Sequence, residues 1–198
     1  MKIGILASHG GTVLQAIIDA GEGPHPELEP CVVISNNSAS GALARAARHG
    51  IRARHLSGRT HPEPEALDRA IADGLSESGA QLVFLAGYMK KLGPRTLERF
   101  AGRILNTHPS LLPRFGGRGM YGDRVHQAVL DAGETRSGVS VHLVDEGYDT
   151  GPVVAQAEVP VEPRDTLETL SERVRARERL LVVETLVAVA HGWIEAVG

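Results

Sequence analysis

Short apolar runs alternate along the first half of the chain with segments whose apolar residues recur every three or four positions. Four segments predict strands, at residues 2–7, 30–35, 51–56 and 80–86, of which the first is expected to be buried and the last is strongly apolar. The segments between them predict helices at residues 13–20, 38–49 and 65–78. Strands that alternate with helices indicate a parallel sheet that is covered by helices on both faces.

The second half continues this pattern and then changes it. The spacing predicts a short helix at 94–100, a strand that ends near Asn106, and a helix at 125–132. Two runs of alternating polarity, 138–144 and 153–161, predict strands that pair as an antiparallel edge. A long helix follows to about residue 190, with Asp165 as its expected cap. We therefore expect an α/β fold with a mostly parallel, twisted, Rossmann-like sheet and an antiparallel edge near the C-terminal half.

Composition narrows the class of protein. The 198 residues suggest a single domain, 1–198, and carry a net charge of -3 with only 4% aromatic residues. That balance argues against a nucleic-acid partner. No signal peptide pattern or long apolar span is present, so we expect a cytoplasmic protein with no membrane partner. One cysteine, Cys31, excludes an internal disulfide. The oligomeric state, monomer or homodimer, stays open.

The stretch from Ile104 to Pro113 contains the strongest candidate chemistry. Asn106 and His108 are two positions apart in a predicted strand, so their side chains can face one space. An amide can bind a developing oxyanion, and an imidazole can carry a proton, which suits reactions at a carbonyl. The alternative is a strand end followed by a structural histidine, and the two residues alone do not decide between these interpretations.

A glycine-containing loop follows the first strand. Ser8, His9, Gly10, Gly11 and Thr12 lie between a predicted strand and a predicted helix, an arrangement that can point backbone N–H groups at an anion. Neither the dinucleotide fingerprint nor a Walker loop is present. A plain strand-to-helix turn is the alternative.

Two motifs in this order resemble the signatures of the folate-dependent formyltransferases. The first is Asn106-Thr107-His108-Pro109-Ser110-Leu111-Leu112-Pro113, and the second combines residues 137–145 with Tyr148-Asp149-Thr150-Gly151-Pro152-Val153. The resemblance extends from residue 1 to about 195. It implies transfer of a formyl group from 10-formyltetrahydrofolate, the co-substrate, to the amine of 5'-phosphoribosylglycinamide. It also implies a phosphate-binding half, about 1–100, and a catalytic and folate-binding half, about 101–198.

The same resemblance implies roles for individual residues. Asn106, His108 and Asp149 would be catalytic, with His142 as possible support. The phosphoribosyl group would bind at Gly10, Gly11, Thr12, Val13, Arg175 and Glu178. The folate would bind at Tyr88, Met89, Lys90, Lys91, Leu92, Val144 and Asp145. The residues alone leave simpler interpretations open: an Asx-turn for Asp149, a core-packed loop for 87–94, and a surface ion pair for Arg175 and Glu178.

The chain departs from the family pattern at three places. Val13 stands where relatives commonly have asparagine, and some relatives carry a charged residue at the position of Pro64. Residues 116–122, here called the glycine-rich loop, replace the usual Pro-Gly turn and could form a lid over His108.

No metal is expected, because the sequence has no close cluster of metal ligands. Six histidines are expected at surface or packing positions: His9, His49, His55, His61, His126 and His191.

Four other functions compete with glycinamide ribonucleotide formylation. Methionyl-tRNA formyltransferases carry an additional C-terminal domain, and formyltetrahydrofolate deformylases usually carry an N-terminal regulatory domain. Sugar-nucleotide formyltransferases usually lack the phosphate-loop opening. A non-catalytic nucleotide-binding module would not need Asn106, His108 and Asp149 together.

Overall fold

A single seven-stranded sheet forms the centre of the protein. The computed structural model describes residues 1–194. Its strands are β1 (Lys2–Leu6), β2 (Glu29–Ser35), β3 (Arg52–His55), β4 (Leu82–Leu85), β5 (Ile104–His108), β6 (Arg136–Leu143) and β7 (Val153–Pro160). The strand order is β3-β2-β1-β4-β5-β6-β7. Strands β1 to β5 are parallel, whereas β6 pairs antiparallel with both β5 and β7. The predicted α/β class and antiparallel edge are therefore confirmed.

Six helices accompany these strands within the described residues: five lie between strands, and the sixth follows β7. They are α1 (Thr12–Glu22), α2 (Gly41–Arg48), α3 (Pro64–Glu77), α4 (Pro94–Arg99), α5 (Asp123–Asp131) and α6 (Leu167–Ala190). Ser40 caps α2, because its side chain accepts a hydrogen bond from Leu43 N at 3.3 Å.

The predicted cap of α6 was wrong by one residue. Thr166 is the N-cap: it accepts a hydrogen bond from Thr169 N, and Thr169 Oγ1 accepts one from Thr166 N in return. Asp165 instead binds the guanidinium of Arg173 with two hydrogen bonds of 2.7 and 2.8 Å. That charge-assisted pair holds the pKa of Asp165 well below its usual range.

The sheet separates two hydrophobic cores, and β5 contributes to both. Leu105 packs in the core that contains α1 and α6, with Leu14 and Leu186. Ile104 points the other way, into the core that contains Ile71 of α3 and Phe100 beside α4. Because side chains alternate along a strand, the polar end of β5 also presents residues to both sides. This alternation places functional groups on two faces of one strand end.

The order of the strands reverses between β1 and β4, and a crevice opens beyond their carboxyl ends. Gly11 lies at this edge as the N-cap of α1, with φ of 72°. A Cβ atom on Gly11 would come within 2.9 Å of Ala42 Cα, so α1 and α2 can approach only because this residue has no side chain. Gly11 thus fixes the position of the loop before α1.

We expect Gly11→Ala to lower the free energy of unfolding by about 1–3 kcal/mol, through a strained positive φ and a backbone clash. Gly10→Ala is the matched control, because a Cβ atom there meets nothing within 4 Å. Urea denaturation of both variants measures the difference. Equal stability of the two variants would contradict this account of the loop.

Candidate active site

A cavity of about 580 Å³ lies beyond the carboxyl ends of β4 and β5. The loop after β4, the end of β5, the glycine-rich loop, the 145–149 loop and α6 all contribute to its lining. Parallel sheets bind ligands at this edge, near the reversal of strand order. The cavity is therefore the candidate site.

Asn106 and His142 lie side by side on neighbouring antiparallel strands. They are register partners in β5 and β6, and Asn106 Nδ2 lies 3.0 Å from His142 Nε2. His142 Nδ1 is 2.8 Å from Leu143 O, so this nitrogen carries a proton. In the neutral ring, Nε2 then accepts from the Asn106 amide. One N–H of Asn106 remains for a ligand in the cavity.

His108 and Asp149 form the centre of the site. His108 Nδ1 lies 3.3 Å from Asp149 Oδ2, and His142 Nε2 lies 3.5 Å from Asp149 Oδ1. The other ring nitrogen of His108, Nε2, is 2.8 Å from the carbonyl oxygen of Phe115. Both partners of His108 are hydrogen-bond acceptors, so the neutral ring can donate to one of them and the protonated ring to both.

Burial and nearby charges shift the pKa values of His108 and Asp149 in opposite directions. Burial lowers the pKa of His108 below its ordinary value, although the Asp149 carboxylate opposes the change. Burial acts to raise the pKa of Asp149, but His142, His108 and the backbone N–H of Gly117 together lower it below the usual value. Asp149 is therefore ionised at neutral pH, beside a histidine whose proton is held less tightly than usual.

The backbone at Asp149 adopts a conformation that few residues tolerate. Its φ is 56°, which asparagine and aspartate accept more readily than most residues. Asp149 Oδ2 accepts a hydrogen bond of 2.9 Å from Gly117 N, which ties the glycine-rich loop to the 145–149 loop. Asp145 organises the latter loop, because it accepts hydrogen bonds from Gly147 N and Thr150 Oγ1.

The cavity brings together most of the residues that the sequence singled out. Its lining includes all three predicted catalytic residues, His142, all seven predicted folate residues, and both Arg175 and Glu178. Much of the glycine-rich loop also lines it, next to His108 as expected.

The predicted phosphate loop lies outside this cavity. Gly10, Gly11, Thr12 and Val13 are absent from its lining, although the preceding His9 is present. The Val13 side chain is buried in the core, and Thr12 lines a second crevice together with Arg179. Helix α1 packs against α6, which accounts for the crevice that Thr12 and Arg179 share.

Arg175 and Glu178 do not form the surface ion pair that was the simpler interpretation. Arg175 Nη2 binds Asp123 Oδ1 of α5 at 2.6 Å. Glu178 is half-buried, and burial raises its pKa, while the neighbouring Thr107 and nearby arginines oppose that rise. The carboxyl faces the cavity rather than solvent.

Two cavity residues were missed by reasoning from the sequence. His126 was expected only to pack or to lie on the surface, and Thr107 was not considered at all, yet both are buried and both line the cavity. Strand alternation gave a usable signal for Thr107, because it lies between Asn106 and His108. Nothing in the local pattern distinguished His126 from the other histidines.

Within residues 1–194, no helix is both long and apolar enough to cross a bilayer. The same residues contain no group of three or more His, Cys, Asp or Glu side chains arranged to hold a metal ion.

The chain is similar to several enzymes of known name. It is 38% identical to a phosphoribosylglycinamide formyltransferase of Mycobacterium tuberculosis over 197 residues, 100% of this chain and 88% of the relative. It is also 39% identical to the trifunctional purine biosynthetic protein adenosine-3 of Bos taurus over 96% of this chain. The chain spans only 18% of the length of that protein.

Solved structures agree with these relatives. Glycinamide ribonucleotide transformylase 1 of Symbiobacterium toebii matches with a TM-score of 0.89 and 39% identity, over 97% of this chain and 88% of that chain. Phosphoribosylglycinamide formyltransferase of Bacillus halodurans matches with a TM-score of 0.87 and 36% identity, over 96% and 95%. The family model described as formyl transferase matches residues 1–186. The chain therefore belongs to the formyl transferase family.

Proposed function

We propose that this protein transfers the formyl group of 10-formyltetrahydrofolate to the amine of 5'-phosphoribosylglycinamide. The observation that carries the proposal is the convergence of Asn106, His108 and Asp149 in one cavity, with Asp149 Oδ2 3.3 Å from His108 Nδ1. Family membership and the names of the similar enzymes support the choice of donor and acceptor.

The proposed donor and acceptor approach β5 from different sides. The folate occupies the wall formed by Tyr88 to Leu92, Val144 and Asp145, a mostly apolar surface with backbone groups for a flat heterocycle. The acceptor phosphate binds the backbone N–H groups at the start of α1, assisted by the helix dipole. In this arrangement the reacting amine and formyl carbon meet at Asn106 and His108.

The proposed reaction begins with attack of the acceptor amine on the formyl carbon. A C–N bond forms, and the formyl oxygen becomes an oxyanion. The remaining N–H of Asn106 donates to that oxygen, and protonated His108 donates with charge, which makes its hydrogen bond about twice as strong as a neutral one. Both donors are held in place before the substrate arrives: Asn106 by His142, and His108 by Asp149.

The tetrahedral intermediate then collapses. The bond between the formyl carbon and N10 of the folate breaks, and the amine loses a proton while N10 gains one. Asp149 is the proposed relay for this proton, because it is ionised and lies against His108. The products are formylglycinamide ribonucleotide and tetrahydrofolate.

The burial of His108 suits this role. Its side chain is 4% exposed, and charges interact more strongly where water is excluded. The Phe115 carbonyl occupies Nε2 in the structure, so a formyl oxygen that binds there has to replace it. The proposal therefore includes a small movement of residues 115–117 when substrate binds.

The proposal also includes a cytoplasmic location, a monomer or homodimer, catalysis without metal, and a division of the chain into halves at about residue 100.

A steady-state assay tests the overall reaction. Purified protein is given 10-formyltetrahydrofolate with and without phosphoribosylglycinamide, and formation of tetrahydrofolate is followed. We expect turnover that depends on the acceptor. Turnover without it would favour a deformylase, and no turnover under either condition would reject the proposal.

Asn106→Ala should lower kcat roughly 100- to 1000-fold, because the oxyanion loses one positioned donor. Binding of phosphoribosylglycinamide, measured by calorimetry, should stay within a few-fold of the unmodified protein. His61→Ala, which removes a histidine outside the cavity lining, is the control for kcat. Near-normal turnover of Asn106→Ala would exclude the oxyanion role.

The charge on Asp149 should raise the pKa of His108, so Asp149→Asn should move the His108 titration to lower pH. NMR of the imidazole C–H signals measures this shift. Asp131→Asn removes an exposed carboxylate that does not contribute to the His108 pKa, and it should leave the titration in place. A His108 pKa that is unchanged in Asp149→Asn would mean that the two side chains are not coupled in solution.

A further inference from the structure

Two buried polar atoms in the cavity wall have no partner. Among the described residues, three buried side-chain atoms make no hydrogen bond: Thr107 Oγ1, His126 Nδ1 and Ser137 Oγ. Thr107 and His126 line the cavity, whereas Ser137 does not. Their exposed fractions are 8%, 1% and 2%. An unpaired buried polar atom costs about 1–3 kcal/mol, so two in one wall indicate a surface that is completed by a ligand.

These two residues lie on the opposite side of β5 from Asn106 and His108. The Thr107 side chain points to the same face of the sheet as that of Leu105, toward the hydrophobic core that contains α6. His126 projects from α5, which packs against α6. Glu178 of α6 is next to Thr107 and lines the same cavity. Thr107, His126 and Glu178 thus form a polar wall, here called the α5–α6 wall.

We propose that Thr107 and His126 bind the sugar of the phosphoribosyl acceptor by hydrogen bonds to its hydroxyl groups, next to Glu178. This inference rests on the proposed function and extends it to two residues that the family resemblance did not assign. It makes Thr107 and His126 specificity-determining residues for a polyhydroxylated acceptor.

The location of the α5–α6 wall relative to the proposed phosphate site supports the ribose as the part of the acceptor that this wall binds. Thr12, at the start of α1 where the phosphate is proposed to bind, lines a crevice together with Arg179 of α6. The neighbouring Glu178 lines the main cavity with Thr107. Adjacent residues of α6, Arg179 and Glu178, thus line the two crevices, and the ribose is the portion of the acceptor that joins its phosphate to the reacting amine.

The chemistry of the wall suits neutral hydroxyl groups. Burial, together with the nearby Arg175 guanidinium, lowers the pKa of His126 to about 4. The ring is therefore neutral at physiological pH, with one nitrogen as donor and the other as acceptor. The Thr107 hydroxyl can also donate or accept. A sugar hydroxyl needs both functions, whereas the nearby cation that a phosphate would require, Arg175, is already paired with Asp123.

Calorimetry with phosphoribosylglycinamide tests the proposal on the whole protein. Thr107→Val keeps the shape of the side chain and removes only the hydroxyl, and His126→Leu removes the ring nitrogens. We expect each to weaken acceptor binding about 5- to 30-fold, because a sugar hydroxyl loses its partner. His126→Asn, which keeps a polar atom near the position of Nδ1, should recover part of the loss. Folate binding should stay unchanged in all three variants.

Ser137→Ala is the matched control, because it also removes an unpaired buried hydroxyl, but outside the cavity. Thr107→Val and Ser137→Ala should both keep or raise the melting temperature, since each replaces an unsatisfied polar atom by an apolar one. Only Thr107→Val should weaken acceptor binding.

Folded Thr107→Val and His126→Leu proteins that both bind the acceptor like the unmodified protein would overturn this inference and leave the proposed function standing. Failure of the unmodified protein to bind phosphoribosylglycinamide would overturn both.

Discussion

The Asp149 carboxylate is the group on which the arrangement of the site depends. A buried carboxylate is stable only if hydrogen bonds and opposite charge replace the water it has lost. Asp149 obtains these from His108 and the backbone N–H of Gly117, which belong to two separate segments. Satisfying one charge therefore brings together β5 and the glycine-rich loop. The positive φ of Asp149 is maintained by the same contacts.

Because side chains alternate along a strand, the end of β5 presents different functional residues to the two faces of the sheet. Asn106 faces His142 and, with His108, lies near the Asp149 loop, whereas Thr107 turns toward α6 and Glu178. A two-substrate reaction needs separate surfaces for its partners that meet at one point. A strand end provides this arrangement directly, because successive side chains point to opposite sides within a few ångströms. The proposed donor and acceptor sides follow from this geometry.

The cavity and the residues next to it contain features that cost stability. Thr107 and His126 bury polar atoms without partners, and Phe115 and Asp149 both have positive φ. Proteins tend to keep such local violations where function requires them, and the surrounding core compensates. Here the two apolar cores on either side of the sheet, with fully buried residues such as Phe84 and Leu105, provide that compensation. The strained and unpaired groups thus mark the same region as the predicted catalytic residues.

The sequence by itself determined the order of strands and helices, the antiparallel edge and the motifs that identify the family. These features depend on periodicity and on turn residues close together in the chain, so they can be read locally. Tertiary structure alone decided that Arg175 pairs with Asp123, 52 positions away, and that His126 lines the cavity while Gly10 to Val13 do not. Those outcomes depend on how α1 and α5 pack against α6. Packing between distant helices is set by the fit of whole surfaces, which no local pattern of residues records.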